Sequence, residues 1–184
     1  MIYVALFKGI NVGGKHIVKM AELKEIFIEL GLTGAKSYIQ SGNVVFESKA
    51  DPRELKEKLA AAFVEKFGFQ CAILLRSSEE IKTLINALPF TEAEIKTAKE
   101  ANPEVEHLYV YFLDRPDLPE KLSELLDGYT GPDLSKSGPG AVYILSQGSI
   151  RLSALALRLN KEFPDMTARN WKTVNKIYEM MLSF

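Results

Sequence analysis

Lys36-Ser-Tyr-Ile-Gln-Ser-Gly-Asn-Val-Val-Phe-Glu47 is the stretch whose reading decides the fold. Two short runs with aromatic and β-branched residues, 36–40 and 44–47, flank Ser41-Gly42-Asn43. That triplet reaches positive φ at little cost, so the pattern predicts two antiparallel strands joined by a tight turn. Parallel strands cannot be joined this way, because each needs a crossover, usually helical. A hairpin at this point therefore argues against the parallel sheet of a nucleotide-hydrolysing fold.

Working outward, residues 2–8 form an apolar run that reads as a buried strand. A glycine-bearing loop follows to about residue 19. Met20, Leu23, Ile26, Phe27 and Leu30 then recur at helical spacing, and Gly31 is placed to end that helix in the left-handed conformation. On the other side, Asp51-Pro52-Arg53-Glu54 opens a helix. Its inward stripe is Leu55, Leu59, Phe63 and Phe67, and Gly68 closes it. Residues 70–76 are strand-like. The order β-α-β-β-α-β is the ferredoxin-like plan.

Further along, Ser77-Ser-Glu-Glu80 is a capping box for a helix holding Ile81, Leu84, Ile85 and Leu88, which Pro89 stops. Residues 91–102 read as a short exposed helix or ordered linker. Residues 107–113 are apolar on both faces, as an interior strand should be. Asp117-x-x-Glu120 caps a helix with Leu118, Leu122, Leu125 and Leu126, ended by Gly128. Residues 129–140 carry a weak strand pattern and 141–146 a clear one. Helices are expected at 153–163 and 168–181, with Thr167 as the cap of the last. The fold class expected is α+β: two ferredoxin-like halves, mainly antiparallel sheets with helices packed on them. The halves share one compact domain with an internal pseudo-repeat. Residues 1–76 form the first half, 77–103 a helical connection, and 104–184 an imperfect second half with a helix in place of its fourth strand.

Composition narrows the classes. The chain has 184 residues, 47% apolar and 26% charged, the balance of a soluble globular protein. No apolar run reaches the roughly 18 residues that a bilayer requires, so no membrane span is expected. Met1 leads straight into a strand-like segment without a signal-peptide pattern, which points to the cytoplasm. Cys71 is alone and reads as a buried, inert thiol. His16 and His107 lie in unrelated segments, so no metal site is expected; the dinucleotide fingerprint G-x-G-x-x-G is absent, and no cofactor is expected. A net charge of −1 argues against a long phosphate-neutralising footprint. Locally the balance differs. No acidic residue precedes Glu22, whereas Lys8, Lys15 and Lys19 do, and residues 166–178 hold Arg169, Lys172 and Lys176 without a carboxylate.

Gly9-Ile-Asn-Val-Gly-Gly-Lys15 fits G-x-x-x-x-G-K, one residue short of a phosphate-binding loop. His16 stands where a magnesium-binding hydroxyl belongs. The helical period begins only at Met20, so no helix N-terminus meets the loop. An RNA-recognition sheet fails too: Tyr3 is one candidate ring, but Asn43 and Val45 stand where stacking aromatics are needed.

Three motifs occur in order: Gly9-Ile-Asn-Val-Gly-Gly14 with Met20-x-x-Leu23; Tyr38-Ile-Gln-Ser-Gly-Asn-Val-Val-Phe46; and Thr167-Ala-Arg-Asn-Trp-Lys-Thr-Val174. Together they resemble the bacterial domain of unknown function 1697 family over essentially the whole chain. The resemblance implies two ferredoxin-like halves and brings no catalytic residues. The chain departs from it at Gly148-Ser-Ile-Arg-Leu-Ser153, where the family tends to show a Gly-Arg-Ser-Lys-like run.

No nucleophile elbow, cysteine–histidine pair or metal cluster is present in the sequence pattern. Glu79-Glu80 and Glu92 with Glu94 read as solvated helical faces. The expected role is a binding module for a small anionic or phosphorylated ligand, with Asn11, Gly13, Gly14, Lys15, Ser41, Asn43, Arg169, Asn170 and Trp171 as candidate contacts. The competing reading makes the same residues structural: glycines for backbone conformation, asparagines for loop bonds, Trp171 for the core. A homo-oligomeric interaction protein, pairing through sheet edges or the 109–112 region, also stays open. So do an enzyme with an unrecognised active site and a weak nucleic-acid binder. Whether the three motifs meet in space is open at this level.

Overall fold

β1 (Ile2–Phe7) runs through the middle of a four-stranded sheet, paired antiparallel with β3 (Asn43–Glu47) on one side and β4 (Ile73–Ser77) on the other. β2 (Lys36–Tyr38) completes the edge, giving the order β2-β3-β1-β4. The structure, a computed structural model, describes residues 1–114 and 119–184. The chain divides into two units, Met1–Lys82 with Asn175–Phe184, and Thr83–Val174.

In the first unit the sheet carries α1 (Met20–Glu29) and α2 (Pro52–Phe67) on one face. Tyr3, Ala5, Phe7, Val44, Phe46, Ile73 and Leu75 point to that face and meet Leu23, Ile26, Phe27, Leu55, Leu59 and Phe63. Each fully buried large apolar side chain contributes roughly 1.5–3 kcal/mol. The alternate residues Val4, Leu6, Val45 and Leu74 are also buried, which is why the strands read as continuous apolar runs. The expected caps hold. Asp51 accepts from the N–H groups of Arg53 and Glu54, and Gly31 and Gly68 sit at φ 74°.

The second unit repeats the order. β5 (Leu108–Phe112), α5 (Glu120–Asp127), β6 (Leu134–Gly138), β7 (Ala141–Leu145), α6 (Ala154–Glu162) and β8 (Thr167–Asn170) form a sheet ordered β6-β7-β5-β8. Every neighbouring pair is antiparallel, with β5 interior. Tyr111, Val142 and Ile144 pack against Leu122, Leu125, Leu155 and Leu159. Two antiparallel four-stranded sheets with helices make the α+β fold, and both strand orders are compatible with the ferredoxin-like plan. The capping role of Asp117 and the place of Leu118 lie outside the described residues.

The fourth strand of this half corrects the sequence expectation. Residues 167–170 do not begin the last helix; they pair with β5, Thr167 opposite Phe112 and Asn170 opposite Tyr109. α7 (Trp171–Leu182) starts at the next residue. Thr-Ala-Arg-Asn has little β signal of its own and no glycine or proline separates it from the helix. Strand pairing with β5 overrides local propensity. After β4 in the chain, α3 (Ser78–Asn86) opens on the expected capping box, Ser77 N–H to Glu80 Oε2 at 2.8 Å and Glu80 N–H to Ser77 Oγ at 3.2 Å. α4 (Glu92–Ala101) makes residues 91–102 a true helix, with its own box between Thr91 and Glu94. Among the described residues no helix is long and apolar enough to cross a membrane.

Candidate functional site

The glycine loop between β1 and α1 folds into a small hairpin. Asn11 N–H donates to the His16 carbonyl at 3.0 Å, and Lys15 N–H to the Val12 carbonyl at 3.1 Å. Gly13 and Gly14 form the tip at φ 60° and 73°, the successive positive values of a tight I′-type turn. A Cβ at either would meet nothing within 4 Å, so conformation rather than crowding calls for glycine there. Residues 12–17 are all exposed. The segment is a projecting finger, and α1 starts only at Met20. Its geometry is not that of a phosphate-binding loop closing on a helix.

Asn11 anchors the base of the finger. Its Oδ1 accepts from Val18 N–H at 2.8 Å, and its Nδ2 donates to the carbonyls of Val18 at 2.9 Å and Gln40 at 2.8 Å. On the other flank the His16 ring stacks on Phe69, centroids 4.4 Å apart and planes within 15°. Phe69 in turn meets Phe63 edge-on. Asn43 is fully buried, and its Nδ2 donates to the Tyr38 carbonyl at 3.1 Å and to Ser41 Oγ at 2.9 Å. The first two motifs thus meet at one end of the first sheet. Their asparagines build the site and do not project from it.

That end also concentrates unusual backbone. Asn11 (φ 55°), His16 (φ 50°) and Ile39 (φ 48°) are the described non-glycine residues with positive φ, and all three lie here. Asparagine tolerates this region; β-branched isoleucine does not. Ile39 is also why β2 stops at Tyr38, two residues before its expected end at Gln40. Val12, Ile17 and Ile39 are 64%, 70% and 51% exposed. Cys71, expected to be buried, is only partly so; its thiol donates to the Lys8 carbonyl at 3.1 Å.

The third motif belongs to the second unit. Asn170, not Thr167, caps α7: its Oδ1 accepts from Thr173 N–H at 2.8 Å. Arg169 is buried on β8, with Nη1 donating to the Ala168 carbonyl at 2.8 Å. Thr167 Oγ1 is buried with no hydrogen-bond partner among the described residues. Trp171 tilts against Tyr143, centroids 6.5 Å apart. It lines a cleft of about 510 Å³ with Lys172, Ile95, Lys99 and the segment leading into β5. No spacing signal in the sequence links Lys99 to Trp171; their proximity is tertiary.

Two buried polar groups escaped the sequence reading. His107 has Nδ1 2.6 Å from the Ser146 carbonyl and Nε2 2.8 Å from the Asn102 carbonyl. Asp133 accepts from Ser153 Oγ at 2.6 Å and Gln147 N–H at 3.0 Å. Both pin loops to strand ends. Among the described residues, no three histidine, cysteine or acidic side chains gather to hold a metal ion.

Residues 1–143 match the family described as protein of unknown function (DUF1697). The chain belongs to the DUF1697 family. No curated protein matches it. This DUF1697 chain is similar in fold to the conserved bacterial protein SP0830 of Streptococcus pneumoniae, with a TM-score of 0.73 and 24% identity over 98% of each chain. The matched family region covers the glycine finger and the β2–β3 turn, and it ends before the third motif.

Proposed function

We propose that this DUF1697 protein is a cytoplasmic binding module for an anionic group, phosphate or carboxylate, engaged by the finger of residues 12–17. One observation carries the reading. The N–H groups of Gly13 and Gly14 stand at an exposed tip beside Lys15, and none of these three donates to or pairs with another described residue apart from the Lys15–Val12 backbone bond. Successive backbone N–H groups in such a turn form an anion-binding concavity. No carboxylate lies in the chain before Glu22, and Glu22 is taken by Lys19 at 3.0 Å. The Asn11 bonds and the His16–Phe69 stack support a preorganised tip, which lowers the ordering cost of binding. Cys71 has no second cysteine to pair with, in keeping with a reducing compartment. Arg169 and Asn170 enter this reading only as structural residues of the second unit.

Isothermal titration with inorganic phosphate and tripolyphosphate tests it. Lys15→Glu is expected to weaken tripolyphosphate binding by about tenfold or more; equal affinity in wild type and variant would overturn the proposal. Exposed Val12, Ile17 and Ile39 favour a second reading, in which the finger is a contact between copies of the chain. Sedimentation of a strict monomer at high concentration would remove it.

A further inference from the structure

We propose that the Trp171 cleft is a binding site for a small planar molecule carrying an anionic group, distinct from the finger. The cleft lies within the second unit, and its volume of about 510 Å³ falls within the usual range of small-molecule sites. Its apolar lining is Trp171, Ile95, Pro103, Val105 and Leu108. An indole is the best side-chain platform for a flat ring, being large, rigid and polarisable.

The charges around it make the site selective. Lys99 and Lys172 line the same cleft and are exposed, and neither pairs with a carboxylate among the described residues. On the same helix Lys96 is held by Glu100 at 3.7 Å, whereas Lys99 lines the cleft. Glu104 and Glu106 also contribute to the lining. No ion pair joins either lysine to either glutamate, so both lysines and both glutamates are left to a ligand in the concavity. A ring with an anionic substituent and N–H donors satisfies both: ammonium groups for the anion, carboxylates for the N–H groups. A neutral sugar or an aliphatic chain uses neither lysine.

The walls are held before any ligand arrives. Asn170 caps α7 and so fixes the turn that carries Trp171 and Lys172. Tyr143 supports the indole, and its hydroxyl is tied to the Leu84 carbonyl at 2.6 Å. The His107 ring lies between the Asn102 and Ser146 carbonyls, at 2.8 and 2.6 Å, where the segment between α4 and β5 meets the end of β7.

Trp171 is the sole tryptophan of the chain, so its emission reports on the cleft directly. Three planar anions serve as probes: adenosine 5′-monophosphate, flavin mononucleotide and anilinonaphthalenesulfonate. Adenosine supplies a ring without the anion, and ribose 5-phosphate the anion without a ring. At least one planar anion is expected to change Trp171 emission saturably, binding about tenfold more tightly than either control. The double variant Lys99→Glu, Lys172→Glu alters only exposed side chains and is expected to lose about tenfold or more of that affinity. Its fold is checked by circular dichroism. Three results overturn the inference: no saturable change with any of the three probes, equal binding of ribose 5-phosphate, or affinity unaltered in the double variant. Loss of binding in Lys15→Glu instead would place the ligand at the finger and also refute the cleft.

Discussion

Asn11 Nδ2 donates to the main-chain oxygen of Gln40 at 2.8 Å, and this bond fastens the glycine finger to the turn between β2 and β3. The two residues belong to separate motifs. Asn11 spends three bonds at this point, two of them on Val18. Its side chain acts as a staple at φ 55°.

Replacing Asn11 separates the bonds from the backbone conformation. Asn11→Gly keeps the positive φ and loses the bonds; Asn11→Ala loses both. We expect Asn11→Ala to cost about 1–3 kcal/mol and Asn11→Gly measurably less. Urea denaturation gives the order. Limited proteolysis should cut both variants faster between residues 9 and 19, and unchanged cleavage would contradict the staple.

Gly42 and Gly13 share a positive φ but differ in surroundings. A Cβ on Gly42 would lie 2.7 Å from Ile10 Cδ1 and 2.8 Å from Phe7 Cβ. Gly42→Ala should therefore cost roughly 2–4 kcal/mol, overpacking added to backbone strain. Gly13→Ala carries the backbone cost alone, roughly 1–2 kcal/mol. Thermal melts of the two variants check the difference.

Ile39 should be improvable. It holds a left-handed backbone at φ 48° while 51% exposed, so little burial offsets the strain. Ile39→Asn is expected to stabilise the protein by about 0.5–1 kcal/mol, because asparagine accepts this conformation. A lower denaturation midpoint would show that the exposed isoleucine is held by contacts outside the fold of its own turn.

Alkaline pH should act through Tyr143. Burial pushes its hydroxyl up from the ordinary 10.0 to about 12. Above pH 10 the unfolded chain ionises this group while the folded one does not, so the unfolded state gains. Stability should fall by about 1.4 kcal/mol per pH unit through that window and level off near pH 12. Tyr111, also raised by burial, acts in the same direction. Tyr143→Phe removes the bond to Leu84 and should flatten the slope of stability against pH.

Acid acts through Glu94. The Thr91 backbone N–H, then Lys136 and the Thr91 hydroxyl, hold its carboxyl at about 2, below the ordinary 4.5. The stabilising charge is fully present above the ordinary value and is lost as pH falls from there towards 2. Glu94→Gln is expected to lower the melting temperature at neutral pH and to reduce its dependence on pH in that window. An unchanged acid profile would mean the capping box and the 2.9 Å contact to Lys136 do not contribute.

Much of this was written locally in the chain. The turn at residues 41–43 set hairpin against crossover, and apolar periodicity located β1, α1, α2 and β5. The capping boxes at Ser77 and the stops at Gly31 and Gly68 act within a few residues, so they are readable one segment at a time. The absent hydroxyl at His16 and the late start of α1 already separated residues 9–15 from a nucleotide loop. What lay beyond the sequence depends on partners distant along the chain. β8 is a strand because β5 is available to pair with it, not because Thr-Ala-Arg-Asn prefers that state. Asn11 reaches Gln40, and Lys99 shares a cleft with Trp171, only after the sheets form. Short-range propensity acts within a turn or two of backbone, whereas a binding surface is assembled from segments that folding alone brings together.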